Sequence, residues 1–208
     1  MSNSLTATPL RESVLAWLSD RVPQARLQHS LGVEQMSVEL AHHYGCDEAK
    51  AAQAGLMHDL AKYFKPQLLL QVAKTEGLAL DSVFEAHPHL LHADVSAVVA
   101  RDEFGVRDPE VLQAIANHTL GQPGMSPLSC IVFLADSLEP NRGCTPELEA
   151  LRQLSYKNLY AAVGQTCDYS LKHLLQTHAL IHPRSVLTRN WSWQASREKL
   201  GTGFKSIL

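Results

Sequence analysis

The stretch Ala51-Ala52-Gln53-Ala54-Gly55-Leu56-Met57-His58-Asp59-Leu60-Ala61-Lys62 constrains this chain more than any other. It reads as a helix of small and apolar residues with an imidazole and a carboxylate set side by side in it. A carboxylate buried in such a segment is costly unless its charge is compensated. A metal ion is the strongest compensator available. His58 and Asp59 are therefore read as metal ligands. Ala51, Ala54, Gly55 and His58 share one small-residue face, which lets a second helix approach closely.

Other histidines and aspartates recur in the same context. Helical periodicity puts His29 on one face with Val33, Met36, Leu40 and Tyr44, in a helix that begins after Pro23 and closes at Gly45. Asp47 is the expected N-cap of the helix carrying the His-Asp pair. His92 opens a helix whose face continues through Val95, Ser96 and Val99. Asp108-Pro109 starts another, which aligns Val111, Ile115 and His118. Ser126-Pro127 starts an almost wholly apolar helix that ends at Asp136.

The remaining elements are also helical. Leu10, Val14, Trp17 and Leu18 mark a short amphipathic helix; further helices run from Pro66 to about Glu76, from Thr145-Pro146, and over roughly 156–180 before His182-Pro183. Residues 77–90 read as a loop. No strand-like alternation or internal repeat is present. The expected fold is all-α: a disordered segment 1–8, one helical domain over 9–185 and a loosely structured tail over 186–208.

Composition narrows the function. Charged residues are 19% of 208 and the net charge is −3, so no broad basic surface suggests nucleic acid, and Arg184 and Arg189 read as solvated. Cys46, Cys130, Cys144 and Cys167 form no CxxC pair, which argues against a zinc ribbon or a disulfide framework and for a reducing cytoplasm. No apolar run approaches a membrane span and no signal peptide is evident. The count that stands out is 11 histidines, of which His42, His43, His173, His178 and His182 fall in surface or tail contexts.

His29, His58, Asp59, His92, His118 and Asp136 together form a nitrogen and oxygen donor set. Any one histidine on an apolar face is more often a hydrogen-bonded core residue than a ligand; the joint pattern over five helices carries the reading. Such donors suit iron, manganese, zinc or nickel better than a soft thiolate site would. They exceed what one tetrahedral ion needs and suit a pair, with Asp59 as the natural bridge. Two ions suit phosphoryl chemistry. Cations for the phosphate oxygens would be Lys62, Arg142 and Arg26, with hydroxyls from Ser30 and Thr119. Asp59, Lys62 and Arg142 are the candidates for a direct part in the reaction.

The segments Gln28-His29-Ser30-Leu31-Gly32-Val33, Ala54 to Lys62, Leu91-His92, Ala114 to Thr119 and Leu134 to Arg142 resemble the HD-domain metal-dependent phosphohydrolases, in particular the YqeK-type symmetrical bis(5′-nucleosyl)-tetraphosphatases, over roughly residues 20–180. The resemblance implies an HD-domain helical bundle and a two-metal site, iron in the first instance, on the six residues above. It implies diadenosine tetraphosphate as substrate, cut symmetrically to two ADP by a metal-bound hydroxide. Tyr63, Phe64 and Phe84 are candidate surfaces for the adenosines. Expected partners are a small nucleotide and, as an option, a second copy in a homodimer, with neither nucleic acid nor membrane. Two alternatives stay open: another HD activity, on nucleoside monophosphates or guanosine tetraphosphate, and a non-catalytic nucleotide sensor.

Overall fold

A computed structural model describes residues 9–199. Eleven α-helices are found among the described residues: α1 (Pro9–Arg21), α2 (Gln24–Tyr44), α3 (Glu48–Met57), α4 (Pro66–Thr75), α5 (Ser82–Ala86), α6 (His92–Asp102), α7 (Pro109–Asn117), α8 (Pro127–Leu138), α9 (Pro146–Lys157), α10 (Leu159–Gln176) and α11 (Pro183–Lys199). Short 3₁₀ turns at Pro88–Leu91 and Pro140–Arg142 link them, and no strand forms among the described residues.

Local chemistry sets the helix starts. The side chains of Asp47, Asp81, Asp108, Ser126, Thr145 and Asn158 each accept a hydrogen bond from a backbone N–H in the following turn. Pro66, Pro109, Pro127 and Pro146 occupy first-turn positions, where a missing N–H costs nothing. Gly45 closes α2 at φ 66°, a left-handed cap that a Cβ would strain.

A helix that is apolar on every side must be surrounded. Accordingly α8 is buried from Leu128 to Ala135 and packs against α2, α3, α7, α9 and α10. The small-residue face of α3 lies close against α2. A Cβ on Gly55 would lie 2.9 Å from Ser37 Oγ and 3.0 Å from both Glu34 Cα and Val33 O. α1 is tied to α2 by Arg11, which donates to both carboxylate oxygens of the buried Glu34, at 2.7 and 2.9 Å.

Three expectations need correction. Residues 77–90 are not wholly loop, because Asp81 caps α5 and Pro88 starts a 3₁₀ turn. The long helix expected over 156–180 begins at Leu159, since Asn158 adopts an extended backbone. Most of the expected loose tail is α11. This helix buries Thr188, Ser192 and Ser196, a face of small hydroxyl side chains one turn apart, and packs along α10 where Gly164 makes room for Trp193. The expected disorder of residues 1–8 lies outside the described residues, as does the end of the tail, 200–208.

The start of α11 is likewise not a solvated surface. Arg184 donates to Gly121 O at 2.7 Å and to Ala116 O at 3.0 Å, and faces Asp94 at 3.4 Å. Thr188 Oγ1 donates to Leu120 O at 2.9 Å. His182 is buried rather than surface-exposed: its ring centroid lies 4.3 Å from that of Phe84, and its Nδ1 accepts from Arg184 N–H at 3.1 Å. Arg189 pairs with Asp168 at 2.7 Å. No disulfide joins the four cysteines, and no helix of the described residues is long and apolar enough to cross a membrane.

Candidate metal centre

The His-Asp pair does not sit inside its helix. α3 stops at Met57, and His58 and Asp59 follow in the turn. A helix end leaves carbonyls without their usual partner four residues on, and His58 Nδ1 meets one of them, Gly55 O, at 2.7 Å. His118, at the end of α7, does the same with Ile115 O at 2.8 Å. His92, where the 3₁₀ turn passes into α6, does it with His89 O at 2.5 Å. Three imidazoles thus share one local device, each ring turned back on the carbonyl three residues earlier. His29 lies mid-helix, where the carbonyls are already used, and its Nδ1 instead meets Glu139 Oε1 at 2.9 Å.

Each of these Nδ1 atoms faces an oxygen acceptor, so each carries the proton and leaves Nε2 with its lone pair. All four Nε2 atoms converge. Those of His29 and His58 are 3.2 Å apart, and those of His92 and His118 are 3.1 Å apart. Asp59 stands between the pairs. Its Oδ2 lies 3.3 Å from His58 Nε2 and 4.0 Å from His29 Nε2; its Oδ1 lies 3.2 Å from His92 Nε2 and 3.6 Å from His118 Nε2. Asp136 Oδ1 joins the first pair, at 3.0 Å from His29 Nε2 and 3.6 Å from His58 Nε2.

Burial sharpens the electrostatics. His58, Asp59, His92 and His118 are each at most 1% exposed and His29 6%. Burial alone would push the Asp59 carboxyl up, but the pull of His58, with the imidazoles of His118 and His92, holds it well below the usual carboxylate range. Asp136 is likewise held down against its burial by His29, His58, His118 and Arg142. Burial pushes the His92 imidazole down, aided by His118 and Lys62. Anionic carboxylates are the state that metal binding requires of Asp59 and Asp136. Asp59 Oδ1 is buried with no hydrogen-bond donor, and lone pairs facing each other at these distances repel unless a cation lies between them. The donor set therefore fits divalent ions. His29, His58 and Asp136 form one compact group of potential ligand atoms, and His58, Asp59 and His118 another.

The cationic candidates also gather here. Arg26 donates to Asp59 Oδ2 at 3.0 Å, Arg142 to Asp136 Oδ1 at 2.5 Å, and Lys62 Nζ lies 3.1 Å from His92 Nε2. Thr119 Oγ1 is 3.2 Å from the same nitrogen. A cavity of about 330 Å³ opens beside His29, with Arg26, Tyr63, Asn141 and Arg142 in its wall. Ser30 departs from expectation: it is fully buried on the inward side of α2 and does not line the cavity. Of the three aromatic candidates, Phe84 is buried against His182 and Phe64 packs on the core, whereas Tyr63 is 52% exposed on the cavity wall. Glu139 was not foreseen; only its place after the α8 aspartate, in Asp136-Ser137-Leu138-Glu139, could have signalled it.

The HD domain family model matches residues 26–141, and the chain belongs to the HD domain family. Within it, the chain is similar to proteins named symmetrical bis(5′-nucleosyl)-tetraphosphatase. It is 33% identical to the one from Bacillus subtilis, over 87% of this chain and 96% of that protein. It is 35% identical to the one from Halalkalibacterium halodurans, over 86% and 95%. The crystal structure of a predicted HD superfamily hydrolase involved in NAD metabolism, from Clostridium acetobutylicum, matches with a TM-score of 0.85 at 30% identity, covering 88% of this chain and 97% of that one.

Proposed function

We propose that this protein is a metal-dependent hydrolase that cuts dinucleoside polyphosphates symmetrically, taking diadenosine tetraphosphate to two ADP. The observation that carries the chemistry is the set of four converging imidazole nitrogens with Asp59 turning one oxygen to each pair. The substrate class rests on the likeness to the symmetrical tetraphosphatases.

Two divalent ions, iron among the candidates with manganese, zinc or nickel, would be held by His29, His58, Asp59, His92, His118 and Asp136. When bound they would supply Lewis-acid charge neutralisation and lower the pKa of a coordinated water. The protein's own groups do the rest. Arg26, Arg142 and Lys62 reach the polyphosphate and offset the charge that builds on the leaving ADP. ADP leaves as a stable anion, so no dedicated general acid is required. Tyr63 offers a face to one nucleobase, and the buried walls around Asp59 exclude bulk water.

The test is product analysis with the purified, metal-loaded protein. Diadenosine tetraphosphate should yield ADP alone. ATP plus AMP, or preferred release of phosphate from a mononucleotide, would overturn the reading.

A further inference from the structure

We infer that the two halves of this cluster are unequal, and that Glu139 makes the half built on His29, His58 and Asp136 the tighter metal position; the inference rests on the metal-binding reading above.

The imidazoles differ in what stands behind them. His58, His92 and His118 each donate Nδ1–H to a neutral backbone carbonyl, whereas His29 donates to a carboxylate. An anionic acceptor raises the basicity of the opposite nitrogen and fixes the ring more firmly than a carbonyl does. Glu139 is itself immobilised. It is 1% exposed, and its Oε2 accepts from Asn141 N at 2.7 Å and from Asn141 Nδ2 at 2.9 Å. The space it occupies is reserved by Gly32, next along α2 on the face of His29: a Cβ there would collide with the Glu139 carboxylate.

Donor number points the same way. The first half has two imidazoles, the Asp136 carboxylate and Asp59 Oδ2; the second has two imidazoles and Asp59 Oδ1 alone. Cations oppose both halves, Arg26 and Arg142 beside the first and Lys62 beside the second. The two arginines do not cancel the difference. Their side chains are 23% and 37% exposed at the rim of the cavity, where a phosphate can meet them, while Glu139 is enclosed. Metal loading is then sequential, and a chain at limiting metal holds one ion in the His29 half.

Manganese titrated calorimetrically into the full chain after chelator stripping tests this, with ion content measured after dialysis. The expected result is two steps at least about tenfold apart in affinity. Glu139→Gln weakens the tight step by about 10- to 100-fold and leaves the weak one unchanged. His118→Ala removes the weak step and keeps the tight one, a test that holds even where the Glu139 variant does not fold. Two equal steps in the parent chain, loss of the tight step in His118→Ala, or equal weakening of both steps by Glu139→Gln overturns the inference. A parent chain that takes up no manganese overturns the metal reading itself.

Discussion

Arg26 donates to Asp59 Oδ2 at 3.0 Å, so a partly exposed cation leans on the same carboxylate oxygen that faces His58. The side chain that would meet a phosphate is thus already in electrical contact with the carboxylate that joins the two imidazole pairs.

Arg26→Ala should therefore separate substrate binding from metal binding. A hydrogen bond to a charged group contributes about 1.5–3 kcal/mol, so kcat/KM should fall by about 10- to 100-fold, chiefly through KM. Elemental analysis should show unchanged metal content. Parent-like kinetics would remove Arg26 from substrate binding.

Asp59→Ala should behave differently, because both its oxygens serve the cluster. Ion content should fall in both halves, and hydrolysis by at least about 1000-fold, or ~4 kcal/mol of barrier. Retention of turnover in a variant shown to be folded by circular dichroism would sink the site assignment.

Gly55→Ala tests the α2–α3 approach. Alanine favours a helix over glycine by about 1 kcal/mol. Here the new methyl would press on Glu34 Cα and Val33 O, backbone atoms that cannot swing aside. Overpacking of this kind costs about 1–3 kcal/mol, so the net effect is destabilising by up to about 2 kcal/mol. For a chain of this size that is a melting temperature lower by up to roughly 8 °C. A rise on thermal denaturation would show that the helices can part without cost.

His182 should make stability depend on pH. Burial lowers its pKa, against the pull of Asp81, and its Nδ1 must stay unprotonated to accept from Arg184 N–H. With the folded value below the unfolded value of about 6.5, the unfolded chain binds the extra proton as pH falls. The contribution is fully present above about pH 6.5 and is lost on acidification below it. The parent should lose more melting temperature between about pH 7.5 and pH 5.5 than His182→Asn does. Equal losses would mean that His182 does not titrate on unfolding.

Much of this architecture was legible because capping and prolines write helix boundaries locally. Asp47, Asp108, Ser126 and Thr145 cap where expected. The histidines were visible for a related reason: each stood in a context where a polar ring has no ordinary use. The features that were missed depend on tertiary contact. α11 lacks an apolar stripe because its buried face is Thr188, Ser192 and Ser196, which hydrophobic periodicity passes over. Ser30 looked available beside His29, but one residue along a helix is a turn of 100°, and that turn points it inward. Glu139 could not be assigned to His29 from a separation of 110 residues.

The grip of α11 on the segment after His118 has a temporal side. Every residue of the cluster has been synthesised once the ribosome passes Asp136. Yet Arg184 and Thr188, which clasp the carbonyls of Ala116, Leu120 and Gly121, come much later. A nascent chain therefore carries all the donors before it has the brace for the His118 turn. Premature termination in between would release a product with an intact motif and a loosened second pair of imidazoles.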